Sequence, residues 1–161
     1  MRESILQLLE KNSRLSPADL AVMLGLPAEE VAAELGKMID EQVICGFHTL
    51  VNWDKTGREF VTALIEVKVT PQRGMGFDRI AQRIYRFDEV KALYLMSGGF
   101  DLTVIVEGAT IRDVAFFVSD KLAPLESILS TATHFVLKKY KDHGIVLEKA
   151  VSDDERMIVS P

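Results

Sequence analysis

The sequence predicts an α+β protein in which an N-terminal winged helix-turn-helix domain is followed by a ferredoxin-like βαββαβ domain. Two observations predict this arrangement. Apolar residues repeat at helical spacing over about the first forty residues. Beyond a polar stretch near residue 53, the pattern changes to strand, helix, strand, strand, helix, strand. That order is typical of a split βαβ arrangement, with a four-stranded antiparallel sheet and both helices on one face.

The totals exclude several classes of protein. The chain has 161 residues, 48% of them hydrophobic and 27% charged, which is ordinary for a soluble globular protein of one or two domains. No apolar run approaches the roughly 20 residues of a membrane span, and no signal peptide is found. A single cysteine, Cys45, excludes a disulfide framework and predicts a cytoplasmic location. The net charge of −5 argues against strong unspecific attraction to nucleic acid.

Three short helices are predicted in the first fifty residues. The first covers residues 2–11, where apolar side chains recur at helical spacing. Ser16 followed by proline and then by Asp19 is a helix start, and that helix runs over residues 17–24 until Gly25 ends it. The third helix runs to about Asp40, and residues 43–47 are expected to form a strand.

The second half begins with a strand over residues 60–70, in which Val61, Ala63, Ile65, Val67 and Val69 share one face. Residues 71–74 break this strand, and a helix with an apolar stripe follows over residues 77–87. A hairpin, a helix that starts at Thr110 and a last strand over residues 128–140 complete the domain.

Composition changes suggest the domain boundaries. We predict a winged helix-turn-helix domain at 1–52, a linker at 53–59, a ferredoxin-like domain at 60–141 and an extension at 142–161. Trp53 is expected to be a buried anchor between the domains. In the extension, residues 145–147 and 157–159 are expected to pack back as short edge segments.

The hairpin centre is Ser97, Gly98, Gly99, Phe100 and Asp101, set between apolar runs at 90–96 and 102–106. One interpretation is a tight turn in which Asp101 hydrogen-bonds its own backbone. The other is a ligand loop. Glycine N–H groups could then bind a carboxylate and Asp101 an ammonium group, which together fit a zwitterionic amino acid.

Several motifs in this order resemble the Lrp/AsnC family, the leucine-responsive regulators. They are Leu20-Ala21 with Leu24-Gly25-Leu26, the stretch Val43-Ile44-Cys45-Gly46-Phe47, and the Gly-x-x-Asp hairpin Gly98-Gly99-Phe100-Asp101. The resemblance covers roughly residues 1–141. It implies a transcriptional regulator without a cofactor, which forms dimers through the second domain and then larger even-numbered oligomers, and which binds amino acids between dimers.

The resemblance also implies functional residues. The third helix would be the recognition helix in the major groove of double-stranded DNA, with Ser16, Glu29, Glu30, Ala33 and Lys37 as candidate contacts. For the ligand, the resemblance adds five residues to the hairpin: Tyr94, Ile111, Thr131, Thr133 and His134. Of these, Tyr94 and Ile111 would shape the apolar part of the site.

The charge of the recognition helix departs from the family pattern, which usually carries several Arg or Lys residues. Residues 1–53 contain four basic and eight acidic side chains, and Glu29, Glu30 and Glu34 lie on the third helix itself. Phosphate contacts need cations, so an alternative is a ligand-sensing or assembly member of the family with weak or lost DNA binding.

Catalytic and metal-binding patterns are missing from the sequence. His48, His134 and His143 are isolated, without cysteines or paired carboxylates at ligand spacing, and no nucleophile elbow or phosphate loop occurs. The sirohaem decarboxylases, which resemble Lrp/AsnC proteins, are a less favoured alternative. Their His-Asn-Tyr-type motif would fall near residues 93–96, which contain no histidine. We therefore predict no catalytic residues, no metal site and no membrane partner.

Overall fold

A computed structural model describes residues 1–70 and 76–148 of the chain. The chain divides into two compact units, Met1–Val51 and Asn52–Pro161. The predicted break at residues 71–74 and the predicted edge segment at residues 157–159 lie outside the described residues. Within those residues, no helix has the length and apolar character needed to cross a membrane.

The first unit consists of the three predicted helices, α1 (Arg2–Lys11), α2 (Pro17–Leu24) and α3 (Ala28–Asp40). Ser16 and Asp19 form a reciprocal capping box at the start of α2, and Gly25 ends that helix in the left-handed conformation with φ of 66°. The helices pack around fully buried apolar side chains from all three elements: Ile5, Leu20, Val31 and Met38. The prediction of the helices and their caps is confirmed.

The prediction of a strand at residues 43–47 is wrong. No strand is found in residues 1–51, all of which are described. The N–H groups of Val43 and Ile44 both donate to the carbonyl oxygen of Met38, which closes a turn behind α3. The β-prone side chains suggested a strand, but a strand needs a hydrogen-bonding partner, and this unit contains no second strand.

The second unit confirms the ferredoxin-like prediction. Its four main strands form an antiparallel sheet in the order β2-β3-β1-β4, and β1 and β2 run parallel on either side of β3. The elements in chain order are β1 (Val61–Val69), α4 (Asp78–Ile84), β2 (Val90–Leu95), β3 (Leu102–Gly108), α5 (Ile111–Phe116) and β4 (Ile128–Phe135). After α5 the chain continues as a π-helical segment, Phe117–Leu122, and not as regular α-helix.

The core of this unit lies between the helices and one face of the sheet. As the alternation predicts, Ala63, Ile65 and Val67 of β1 are fully buried. Apolar side chains of β3 and of the helical segments cover them: Leu102, Val104, Val106, Ile80, Ile84, Val114, Phe117 and Leu122. The rings of Phe87 and Phe117 meet edge to face with centroids 5.6 Å apart.

The last strand is shorter than predicted, since β4 ends at Phe135 and does not reach Tyr140. The side chain of Phe135 packs against the core. Beyond it, β5 (Lys141–Asp142) and β6 (Ile145–Val146) form a separate two-stranded ribbon. His143 and Gly144, both with positive φ, make the tight turn that joins them.

The segment predicted as a linker begins with a 3₁₀ turn, Trp53–Lys55, which belongs to the second unit. The ring of Trp53 lies 5.8 Å from that of Phe60, and the guanidinium carbon of Arg58 lies 4.8 Å from the Trp53 ring. The predicted boundaries at residues 52, 59 and 141, and the role of Trp53 as an anchor between domains, stay predictions.

Two substitutions in α2 test the packing of the first unit. Leu20 is fully buried, so Leu20→Ala should lower the free energy of unfolding by about 2–5 kcal/mol. Val22 is 84% exposed, so Val22→Ala should change it by less than about 0.5 kcal/mol. Urea denaturation followed by helical circular dichroism measures both, and equal effects would contradict this packing.

Candidate functional site

Helix α3 exposes an acidic surface. Glu29, Glu30, Ala33 and Lys37 are all exposed, as a recognition surface requires. The opposite side of the helix turns Val31, Glu34 and Met38 inward. The outward surface thus carries two carboxylates close to the helix start and a single ammonium group one to two turns later.

The basic side chains close to this surface are engaged in ion pairs within the unit. Lys37 Nζ lies 3.7 Å from Glu34 Oε2, one turn back on the same helix. Arg2 joins α1 to α3, because its guanidinium pairs with Glu34 in the middle of that helix and with Glu41 at its end. These contacts raise the pKa of Arg2 above its ordinary value, and the hydrogen bond from Arg2 lowers the pKa of Glu41. Two of the four cations of the unit are therefore partly neutralised.

Ser16 has a structural role at the start of α2. Its Oγ accepts a hydrogen bond from the Asp19 N–H at 3.1 Å and donates to Asp19 Oδ2 at 2.6 Å. Hydrogen bonds from the hydroxyl and the backbone N–H of Ser16 lower the pKa of Asp19. A hydroxyl held in this way fixes the start of the helix and is a weaker candidate for contacting DNA.

The predicted hairpin is present. Strands β2 and β3 pair antiparallel, and the Met96 N–H donates to the Asp101 carbonyl oxygen at 2.8 Å. Gly98 has φ of 134°, which favours glycine. Ser97, Gly98 and Gly99 are exposed, while Phe100 is half-buried. The loop therefore offers uncovered backbone groups to solvent.

The Asp101 side chain binds a neighbouring strand. Its Oδ2 accepts a hydrogen bond from the Val69 N–H at 2.8 Å, and its own N–H donates to the Val67 carbonyl oxygen at 3.0 Å. The carboxylate thus fastens the hairpin to the end of β1 and does not close a turn on its own backbone. In the described residues its second oxygen, Oδ1, makes no hydrogen bond, so it stays available to a donor from a ligand.

Tyr94 and His134 lie on the face of the sheet opposite the helices. The registers align Tyr94, Thr103, Glu66 and Ala132 in one row across the four strands. His134 stands in the next row beside Leu64, and its Nε2 lies 3.3 Å from Glu66 Oε1. We call this surface, formed by residues such as Leu64, Glu66, Tyr94, Ile105 and His134, the open sheet face.

The remaining ligand candidates lie elsewhere. Thr131 and Thr133 pair with Val67 and Ile65, which places them on the helix-covered face. Ile111 is exposed at the start of α5. Within one chain these residues and the open sheet face do not form a single pocket, so their common role in ligand binding stays a prediction.

Sequence reasoning missed two residues that hold candidate ligand-binding side chains in place. The Val69 N–H holds Asp101 from 32 residues away, and Glu66 pairs with His134 through the register of β1 against β4. Alternation along β1 puts Glu66 on the face opposite Ile65 and Val67, but only the strand register shows its partner. Within residues 1–70 and 76–148, no three His, Cys, Asp or Glu side chains converge as a metal site.

Comparison with family models gives two matches. The Lrp/AsnC ligand binding domain matches residues 62–146, more than half of the chain. The PCI domain matches residues 1–47, which is less than a third of it. The first match covers the complete four-stranded sheet except for the first residue of β1.

Comparison with individual proteins gives similarity over most of the chain. An uncharacterized HTH-type transcriptional regulator of Bacillus subtilis, YugG, is 51% identical over 158 residues, which are 98% of this chain and 95% of that protein. Among solved structures, MtbAldR superimposes with a TM-score of 0.73 at 22% identity, covering 86% of this chain and 93% of that one. The regulator NMB0573 of Neisseria meningitidis, solved as a complex with L-Met, gives a TM-score of 0.69 at 21% identity, covering 86% and 89%.

Proposed function

This chain belongs to the Lrp/AsnC family of transcriptional regulators, and we propose that it binds double-stranded DNA through α3 and an amino acid through its second unit. The observation that carries the proposal is the combination of a capped helix-turn-helix with the Asp101 hairpin in one chain. The relatives are named transcriptional regulators, so no observation favours the sirohaem decarboxylase alternative.

Support for DNA binding comes from the geometry of the first unit. Gly25 gives a tight turn between α2 and α3, and α3, which is 13 residues long, exposes its candidate contacts along one side. Ala33 in the middle of this surface has a short side chain, which allows close approach to a groove. The helix would position Glu29, Glu30 and Lys37 against base edges, while Ser16 keeps its capping role.

The acidic surface supports a second candidate function, in which the protein senses a ligand or assembles with partners without strong DNA binding. Phosphate contacts supply most of the affinity of ordinary DNA-binding helices. Here Lys37 and Arg2 are paired with carboxylates of their own unit. The two functions differ in whether α3 approaches DNA at all.

Amino-acid binding is supported by the chemistry of the hairpin. Asp101 Oδ1 can accept a hydrogen bond from an ammonium group while Oδ2 keeps its bond to Val69, and the exposed Gly98-Gly99 backbone can donate to a carboxylate. A related regulator was solved with L-Met, which is a zwitterionic amino acid with an apolar side chain. Tyr94 and Ile111 are exposed apolar surfaces that a second copy of the chain could bring to such a ligand.

A homodimer is the expected assembly. The open sheet face combines partly exposed Leu64 and Ile105 with exposed Tyr94, and no helix in the described part of the second unit covers it. An apolar sheet face of this kind is normally covered by a partner, and a second copy offers the same face. Larger even-numbered assemblies would form when such dimers associate.

The first prediction concerns the charge of α3. The double variant Glu29→Gln with Glu30→Gln should bind DNA from upstream of the protein's own gene more tightly than the wild type, because two repulsive carboxylates are removed. Fluorescence anisotropy at low salt measures this, with Glu10→Gln on α1 as the control. The wild type should also show a shallow salt dependence. If neither protein binds this DNA, the second candidate function is favoured; equal affinities would show that α3 does not face DNA.

The second prediction concerns Asp101. Asp101→Asn keeps an oxygen for the Val69 N–H but loses the charge that pairs with an ammonium group. Amino-acid affinity measured by calorimetry, starting with L-methionine, should fall by roughly ten- to a hundredfold, or ~1.5–3 kcal/mol. Asp88→Asn, an exposed carboxylate elsewhere, is the control. An amino acid that binds both variants equally would place the site away from the hairpin.

The third prediction concerns assembly. Light scattering should give at least twice the 18.0 kDa of one chain at micromolar concentration. Tyr94→Asp, a charge on the open sheet face, should shift the mass toward the monomer, while Val22→Asp on α2 should not. A mass of one chain across a dilution series of the wild type would refute the dimer.

A further inference from the structure

Helix α4 and the turn after it carry three arginines on their outer side. Arg79, Arg83 and Arg86 follow one another at spacings of four and three residues, which places them on one side of a helix. All three are exposed, whereas Ile80 and Ile84 are buried in the core. The three arginines extend over about 10 Å, because an α-helix rises ~1.5 Å per residue. We call Arg79, Arg83 and Arg86 the arginine stripe.

Two members of the stripe are not neutralised by the chain itself. Among residues 1–70 and 76–148, the side chains of Arg83 and Arg86 make no hydrogen bond, ion pair or ring contact. Four other cations of the second unit do have partners: Lys121 pairs with Glu89, Lys138 pairs with Glu148, and Arg58 and Arg112 lie over aromatic rings. The stripe is therefore a local excess of positive charge.

The stability of α4 does not account for this excess. Like charges four residues apart repel each other on a helix, so Arg79 and Arg83 are an unfavourable pair. The helix dipole favours Arg83 in the last turn but disfavours Arg79 in the first turn. Glu126 lines a small cleft together with Arg79 and Arg83, yet it forms no ion pair with Arg83. An anion from outside the chain would offset the repulsion.

We propose that the arginine stripe binds backbone phosphates of double-stranded DNA, an inference that rests on the DNA binding proposed above. Guanidinium groups stay charged and form two parallel hydrogen bonds with phosphate oxygens. The exposed residue beside the stripe on α4 is the polar Gln82, so the stripe lacks the apolar centre that is typical of protein interfaces. Interfaces with DNA are more polar and strongly positive on the protein side.

The stripe would supply the phosphate contacts that the first unit lacks. Residues 1–53 contain four basic and eight acidic side chains, and Arg2 and Lys37 are paired within that unit. Phosphate contacts contribute affinity and position, whereas contacts to base edges contribute specificity. In the assembled protein α3 would read the bases and the stripe would hold the backbone of the same DNA, whichever copies of the chain provide them.

The salt dependence of DNA binding tests this proposal in the full-length protein. Arg83→Gln with Arg86→Gln removes two cations, so the slope of log K against log salt concentration should become shallower by about 1.8, at ~0.9 for each phosphate contact. The affinity should be weaker than that of the wild type at low salt, and the difference should shrink as salt is added. Fluorescence anisotropy with DNA from upstream of the protein's own gene measures both.

Two matched variants serve as controls. Arg83→Lys with Arg86→Lys keeps both charges and should keep the slope of the wild type. Arg58→Gln with Arg112→Gln removes the same charge from other exposed positions of the second unit and should change the slope far less. If the two Gln double variants have equal slopes, the stripe does not contact DNA and this inference alone is overturned.

Two further outcomes would also overturn the proposal. If no protein binds this DNA at low salt, the proposed DNA binding fails and the role of the stripe fails with it. Light scattering on the same samples reports whether the stripe joins copies of the chain instead. A lower mass for Arg83→Gln with Arg86→Gln than for the wild type would assign the stripe to such a contact, whatever the slope. The proposal requires an unchanged mass together with the shallower slope.

Discussion

The alternation of side chains along β1 is the constraint on which the second unit depends. Ala63, Ile65 and Val67 are fully buried under the helices, so a slip of one residue would put Glu66 and Lys68 into the core. Strand β1 pairs on both sides, with β3 and with β4, and therefore sets the register of its neighbours. The hairpin follows from the same register, because Asp101 bonds to Val67 and Val69 at the end of this strand.

Local signals were sufficient for much of the fold. The capping boxes at Ser16 and Thr110 and the left-handed Gly25 mark helix ends through contacts within a few residues, and all are present. The four strands of the sheet follow from alternation and turn chemistry. Sequence reasoning failed where an element depends on distant partners. Residues 43–47 have strand composition but no strand beside them within residues 1–51, and β4 stops at Phe135, while the chain after residue 140 forms a separate ribbon.

The candidate site was harder to predict, because its residues act through register. Thr133 and His134 are adjacent in sequence, and strand geometry alone puts them on opposite faces. The family resemblance assigns both residues to the ligand site, but within a single chain they lie on different faces of the sheet. Asp101 was identified from its loop, but its hydrogen-bond partner lies 32 residues away. A structural role of this carboxylate is compatible with a ligand-binding role, because the Val69 N–H uses one of its oxygens and leaves the other free.

Several side chains whose chemistry suggests binding are already used to hold the first unit together. Arg2 and Lys37 pair with carboxylates, while Lys11 and Arg14 have no ion pair within the unit. Attraction to phosphates would then depend on few cations. Glutamates on α3 can still accept hydrogen bonds from the amino group of cytosine in the major groove. If α3 enters DNA, its contribution would therefore be to sequence discrimination more than to affinity, and the affinity would have to come from cations outside this unit and from pairing two such units in one assembly.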